Sequence, residues 1–235
     1  MPNIPKISVV IPAYNEEEYI ARCLESINNQ TFKDYEIIVV DNNCIDKTVE
    51  IAKSFGARVV KQPIQGMTPA RQKGFSEAQA DIIARTDADS IAPPDWLEQI
   101  YKAFQDNPDA VGVSGGLASP KGTTMNLAMW FVGVFYMRLA KILTGHECLL
   151  GSNMGVKKSA WEGLEVHEDD KQVHEDVDLS CHLAQKGKII NIPSIRTTYS
   201  LRRIKKSPLY TAYEYPVRYI RTILLHHPAF LHKNK

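Results

Sequence analysis

Asp81-Ile82-Ile83-Ala84-Arg85-Thr86-Asp87-Ala88-Asp89-Ser90 is the stretch on which the reading of this 235-residue chain turns. Ile82 to Ala84 is a short apolar run; Asp87 and Asp89 stand two apart just beyond it, and Pro93-Pro94 follows as a turn. At the end of a buried strand that spacing points both carboxylates into one crevice, where like charges repel. A divalent cation removes the cost. Hard carboxylate oxygens suit Mg²⁺ or Mn²⁺, which keep water and substrate phosphate in their other positions. The same letters also make helix caps and Asp-rich surface turns, so the pair takes its meaning from its surroundings.

Upstream, Ile7-Ser8-Val9-Val10-Ile11 is a near-continuous β-branched run ended by Pro12, as in a strand buried on both faces of a parallel sheet. Glu16 to Gln30 has helical spacing, with Ile20, Cys23, Leu24 and Ile27 on one face. Tyr35 to Val40 reads as a second strand ending at Asp41. Asp46 reads as the cap of a helix through Phe55, which Gly56 stops. Arg58 to Lys61 is a third strand, and a helix from about Thr68 to Ala80 leads into the strand before Asp87. Downstream, Pro94 to Phe104 is helical and Val111 to Gly115 extended. This alternation predicts an α/β fold with a doubly wound, mostly parallel sheet. Ligands of such sheets bind outside the carboxyl ends of the strands. Tyr14-Asn15-Glu16, Asp41-Asn42-Asn43 and Asp87-Ala88-Asp89 all fall at that edge.

The formal net charge is only +1, but it is unevenly spread: from Arg196 onward there are nine basic residues and one acid. Such a tail suits anionic lipid, nucleic acid or a phosphorylated substrate. The four cysteines, Cys23, Cys44, Cys148 and Cys181, form no Cys-x-x-Cys, and read as reduced and structural in a cytoplasmic compartment. Met1 to Lys6 lacks the features of a signal peptide. Gly122 to Met137 is uncharged and apolar but shorter than the roughly 20 residues needed to span a bilayer. It reads as a core helix or as one lying in a membrane interface. Ser207 to Leu231 mixes aromatic and basic residues, and Pro216 is expected to break any single helix there.

Five segments in order resemble the family 2 inverting glycosyltransferases of the GT-A fold: Val9 to Glu16, Asp41 to Thr48, Gly66 to Gly74, Thr86 to Asp89, and His174-Glu175-Asp176. The likeness covers roughly residues 7–200. It implies a nucleotide-sugar site in which Pro12, Ala13, Tyr14 and Glu16 hold the nucleoside, and Asp41, with Asn43 beside it, meets the base. It further implies that Arg71 lies near the phosphates or nucleotide, that Asp87, Ala88 and Asp89 hold the sugar-ribose part and the metal, and that Asp176 is the general base. Two positions depart from the family pattern: Cys44 stands where serine is common, and Lys47 where glycine is common. Tyr199-Ser200-Leu201-Arg202-Arg203 replaces the tryptophan-containing signature of processive polymer synthases, which argues for transfer of one sugar.

Chemically, the departing diphosphate needs charge stabilisation, from Mg²⁺ or Mn²⁺ and from Arg202 and Arg203, and the acceptor hydroxyl needs a base. Asp176 at a helix start suits the second task. His167-Glu168-Asp169-Asp170 reads as a solvated loop; Lys171 rules out a His-Glu-x-x-His zinc signature. The expected partners are a UDP-sugar and a glycan or lipid-linked acceptor, with peripheral contact to the inner leaflet of a membrane and no nucleic acid. The expected division is residues 1–203 as the GT-A domain, with 1–115 for the nucleotide and 116–203 for acceptor and catalysis, and 204–235 as a basic aromatic tail. The competing readings are a non-catalytic scaffold that binds nucleotide-sugar or membrane, and a metal-dependent phosphatase.

Overall fold

The computed structural model describes residues 4–118, 138–167, 173–198, 200, 202 and 207–226. The strands β1 (Ile7–Ala13), β2 (Tyr35–Asp41), β3 (Arg58–Lys61), β4 (Ile82–Arg85), β5 (Ala110–Ala118), β6 (Met154–Lys157) and β7 (Lys188–Thr198) form one sheet in the order β3-β2-β1-β4-β6-β5-β7. β6 is antiparallel to both its neighbours, β4 and β5; the other paired strands are parallel. The helices are α1 (Ile20–Asn28), α2 (Thr48–Ser54), α3 (Met67–Glu77), α4 (Trp96–Asp106), α5 (Lys158–Trp161), α6 (Glu175–Ala184) and α7 (Pro208–His226).

The two-residue period of the strands builds two cores. Val9 and Ile11 of β1, Ile37 and Val39 of β2, and Ile82 and Ala84 of β4 pack on one face with Ile20, Leu24, Trp96 and Ile100 of α1 and α4. Val10, Ile38, Val40 and Ile83 face the other way, against Ala70 and Phe75 of α3 and Leu179 and Leu183 of α6. Fully burying one such aliphatic side chain is worth about 1.5–3 kcal/mol. α3 lies very close to the sheet: a Cβ at Gly74 would fall 2.3 Å from Val10 Cγ1 and 2.9 Å from Val40 Cγ2.

The expected doubly wound, mostly parallel arrangement is present, with differences at the element ends. α1 begins at Ile20 rather than Glu16, because residues 16–19 form a turn. α2 begins at Thr48, and Asp46 Oδ1 accepts the Thr48 N–H at 3.0 Å, as a capping side chain does. The clear correction concerns Pro216. α7 runs unbroken from Pro208 to His226 with Pro216 inside it. Pro216 is exposed, so water can satisfy the carbonyl that loses its helical partner. Beyond it, Tyr219 and Ile223 anchor the helix on Val177 and Cys181 of α6. The apolar stretch 122–137 and the tail beyond residue 226 lie outside the described residues. Among the described residues no helix is long and apolar enough to cross a membrane.

Candidate active site

Strand parity sends Arg85, the last residue of β4, to the same face as Ile83, toward α3 and α6. There it is almost fully buried and ringed by acids. Its Nη1 lies 2.9 Å from Asp176 Oδ1 and 2.9 Å from Glu175 Oε1, and its Nη2 lies 3.3 Å from Asp87 Oδ1. Arg71 reaches the same acids from α3. It has no exposed surface, pairs with Glu175 Oε2, and donates from Nη1 to the Glu175 carbonyl at 2.9 Å. One face of the sheet edge therefore gathers two guanidiniums and three carboxylates.

The charges of this group are not equivalent. Burial works against ionisation of Glu175, but Arg85 and Arg71 outweigh it and hold its pKa well below the usual carboxylate range. Asp176 moves the other way: burial and the neighbouring Glu175 charge push its pKa well above that range, against the pull of Arg85. Asp176 Oδ2 also accepts the Gly151 N–H at 2.9 Å. A Cβ at Gly151 would stand 2.3 Å from Arg85 Nη1 and 2.6 Å from Asp176 Oδ1, so any larger residue here would displace the ends of those two side chains. An aspartate of raised pKa at a helix start, held by a guanidinium and a backbone N–H, is suited to accept a proton near neutral pH.

A second polar group lines the carboxyl ends of β1, β2 and β4. Pro12 and Ala13 close β1, and Asp41 closes β2 beside them in parallel register. Asp41 Oδ1 accepts the Cys44 N–H at 2.8 Å. Cys44 Sγ in turn lies 3.4 Å from both the Asn15 amide and the Ala13 carbonyl, so the thiol does the bridging work of a small polar residue between the two loops. Asn15 and Asn43 both adopt positive φ, 54° and 70°, a conformation asparagine tolerates. Tyr14 is 52% exposed at the mouth of this edge. Ala88 is buried in the first core, so its side chain faces away from solvent.

Arg202 lies across this group. It pairs with Glu16 Oε1, its Nε is 3.2 Å from Asp89 Oδ2, and its guanidinium sits 4.5 Å from the centre of the Tyr19 ring. Glu16 Oε2 is buried without a hydrogen-bond partner. Burial, larger than the opposing pull of Arg202, raises the Glu16 pKa. An arginine thus stands as the cation between Glu16 and Asp89, a place whose all-oxygen chemistry also suits Mg²⁺ or Mn²⁺. Arg203 lies outside the described residues. An open cavity of about 490 Å³ lined by Tyr35, Glu36 and Arg58 sits at the opposite end of β2 and β3, away from all of these groups.

The order and placement of these segments agree with a sequence comparison. Residues 8–164 match the model of glycosyl transferase family 2. The chain belongs to glycosyl transferase family 2. The putative glycosyltransferase EpsH of Bacillus subtilis is 36% identical to this family 2 chain over 112 residues, which is 46% of the chain and 33% of EpsH. Across the first curated relatives the chain spans between 11% and 43% of their length. Among solved structures, glucosyl-3-phosphoglycerate synthase from Mycobacterium tuberculosis superposes with a TM-score of 0.72 at 20% identity, covering 94% of this chain and 80% of that one. The mannosyltransferase PcManGT from Pyrobaculum calidifontis, solved with GDP-Man and Mn²⁺, superposes with a TM-score of 0.68 at 21% identity, covering 99% and 71%. The family 2 chain has the GT-A fold of these structures.

Within the family 2 chain, the sequence alone assigns no role to Arg85, gives Glu175 only its place in the His174-Glu175-Asp176 segment, and reads Gly151 to Gly155 only as a turn near the sugar pocket or a plain loop with glycines. A charged residue closing an apolar strand was the available signal for Arg85: its parity with Ile83 puts it on the covered face. Nothing in the sequence separates Glu175 from Asp176 beside it. The close approach of Gly151 to Arg85 and Asp176 is legible only in the fold.

Proposed function

We propose that this protein transfers a single sugar from a nucleotide-diphosphate sugar, with a UDP-sugar as the first candidate, to a hydroxyl acceptor on a glycan or lipid-linked glycan, with inversion at the anomeric carbon. The observation that carries this reading is the span of Arg85: one buried guanidinium contacts both Asp87 of the acid pair and Asp176. The groups proposed for donor and acceptor are then within one side chain's reach of each other.

In this reading Pro12, Ala13, Tyr14, Asp41 and Asn43 receive the nucleoside, and Arg71, Arg202 and Arg203 supply positive charge. Asp87 and Asp89 would hold Mg²⁺ or Mn²⁺, which when bound supplies Lewis-acid stabilisation of the departing diphosphate. Asp176 takes the proton of the acceptor hydroxyl. A single base and a direct displacement leave no covalent intermediate and invert the centre. Residues 1–115 serve the donor and 116–203 the acceptor. Peripheral attachment to the inner leaflet is supported by the outward face of α7, where Tyr213, Ile220 and Leu225 are all at least half exposed among basic residues.

A panel of nucleotide-sugars, tested for thermal stabilisation and for turnover with Mn²⁺ and Mg²⁺, tests the reading. One donor should both stabilise the protein and be consumed. Stabilisation without turnover across acceptors would favour the scaffold reading, and release of inorganic phosphate from a phosphomonoester would favour the phosphatase.

A further inference from the structure

Asp178 follows Asp176 by two residues, so it lies about 200° around α6 and faces away from Arg85. On that side three imidazoles meet it. Asp178 Oδ1 is 2.7 Å from His167 Nδ1, 2.7 Å from His226 Nε2 and 3.7 Å from His182 Nε2. All four ligand atoms lie within 4.8 Å of one another. His226 approaches edge-on to both other rings, with interplanar angles of 86° and 89°. The nitrogens therefore converge from different directions.

Ordinary hydrogen bonding accounts for only part of this arrangement. One buried carboxylate oxygen already takes two imidazoles, yet His182 brings a third nitrogen to the same point. That Nε2 is buried and makes no hydrogen bond. A metal ion would take lone pairs from these imidazoles and from the carboxylate, releasing any protons they hold. Zn–N bonds of about 2.0–2.1 Å in tetrahedral geometry require ligand atoms roughly 3.3 Å apart; the three distances from Asp178 Oδ1, 2.7, 2.7 and 3.7 Å, bracket that value, and side-chain rotation must draw in the widest pairs, which lie within 4.8 Å.

We propose that His167, Asp178, His182 and His226 form a four-ligand site of three nitrogens and one oxygen for a zinc-class divalent ion, separate from the Asp87–Asp89 pair. Imidazole-rich sets select Zn²⁺, Co²⁺ or Ni²⁺, whereas the all-carboxylate pair favours Mg²⁺ or Mn²⁺. The ligands come from the segment before α6, from α6 itself and from the last residue of α7. The ion would pin both flanking segments to the helix that carries Glu175 and Asp176, which makes its role structural.

The test uses the full chain without a polyhistidine tag, stripped with a chelator and titrated with Co²⁺ in excess Mg²⁺ and without nucleotide. The expected result is one equivalent of Co²⁺ with the intense visible absorption of a tetrahedral site, its displacement by Zn²⁺, and a higher Tm with Zn²⁺. His182→Ala and His226→Gln should each weaken binding at least about ten-fold, by analogy with the loss from even indirect partners of a metal site. Asp89→Ala should bind Co²⁺ like the unsubstituted protein. Absence of the tetrahedral spectrum in the unsubstituted protein would overturn the proposal whatever the variants do. So would unchanged binding in both histidine variants, or loss of binding in Asp89→Ala alone.

Discussion

Arg85 Nη1 lies 2.9 Å from Asp176 Oδ1, joining the end of β4 to the first turn of α6 through a bond between two nearly buried charges. The same guanidinium holds Glu175 and touches Asp87. Removing it leaves Asp176 held by the Gly151 N–H and Glu175 by Arg71, with one positive charge fewer against the buried carboxylates. Arg85→Met is expected to lower unfolding free energy by about 3–5 kcal/mol, the usual result of breaking a buried pair from one side. Urea denaturation of the variant measures this, and an unchanged midpoint would mean that the acids relax into water instead.

Asp176 must be ionised to accept a proton, and its pKa stands above the ordinary carboxylate range because burial and Glu175 both disfavour its charge. Transfer should therefore rise with pH through that raised pKa and level off above it. Asp176→Asn should reduce transfer by about 10²–10⁴-fold, the range for a lost general base, and abolish that limb of the profile. Donor affinity by calorimetry should be nearly unchanged. A parallel loss of donor binding would move Asp176 from the base role to donor recognition.

Gly151 offers a way to disturb this geometry without touching a charged residue. The alanine Cβ would fall 2.3 Å from Arg85 Nη1 and 2.6 Å from Asp176 Oδ1. Gly151→Ala should lower stability by about 1–3 kcal/mol, as overpacking does, and should depress kcat more than the donor KM. Thermal melting and steady-state kinetics together check it; wild-type values in both would show that the 151 loop moves aside freely.

Arg202 pairs with both Glu16 and Asp89. Its removal should have opposite effects on two ligands. Arg202→Gln frees Asp89 from a positive neighbour, so Mn²⁺ alone should bind several-fold more tightly. UDP with Mn²⁺ should bind about ten-fold more weakly, since a hydrogen bond to a charged group is worth roughly 1.5–3 kcal/mol. Calorimetry with and without UDP separates the two. Both affinities moving the same way would remove Arg202 from one of these roles.

Much of this molecule was open to inspection in one dimension. Runs such as Ile7–Ile11 and Tyr35–Val40 carry their strand character in their own letters, and the i, i+3, i+4, i+7 spacing of Ile20, Cys23, Leu24 and Ile27 names the buried face of α1. The polar clusters after β1, β2 and β4 could be assigned to one sheet edge because parallel connections leave no other edge for them. The strand β6 was harder. It pairs antiparallel between β4 and β5 although it follows both in sequence, and nothing in Met154–Lys157 announces its neighbours. Pro216 misled for a related reason: a local penalty was outweighed by the packing of Tyr219 and Ile223 against α6.

Local order along the chain was thus sufficient for the α/β class, the succession of elements and the edge where acids collect, since each depends on near neighbours in sequence. Tertiary structure alone decided which charges face one another. Arg85 meets Asp176 across 91 positions, and His226 meets Asp178 across 48. Such distant pairs carry no local periodicity, and only folding sets the neighbouring charges that, against burial common to both, give Glu175 and Asp176 opposite pKa shifts.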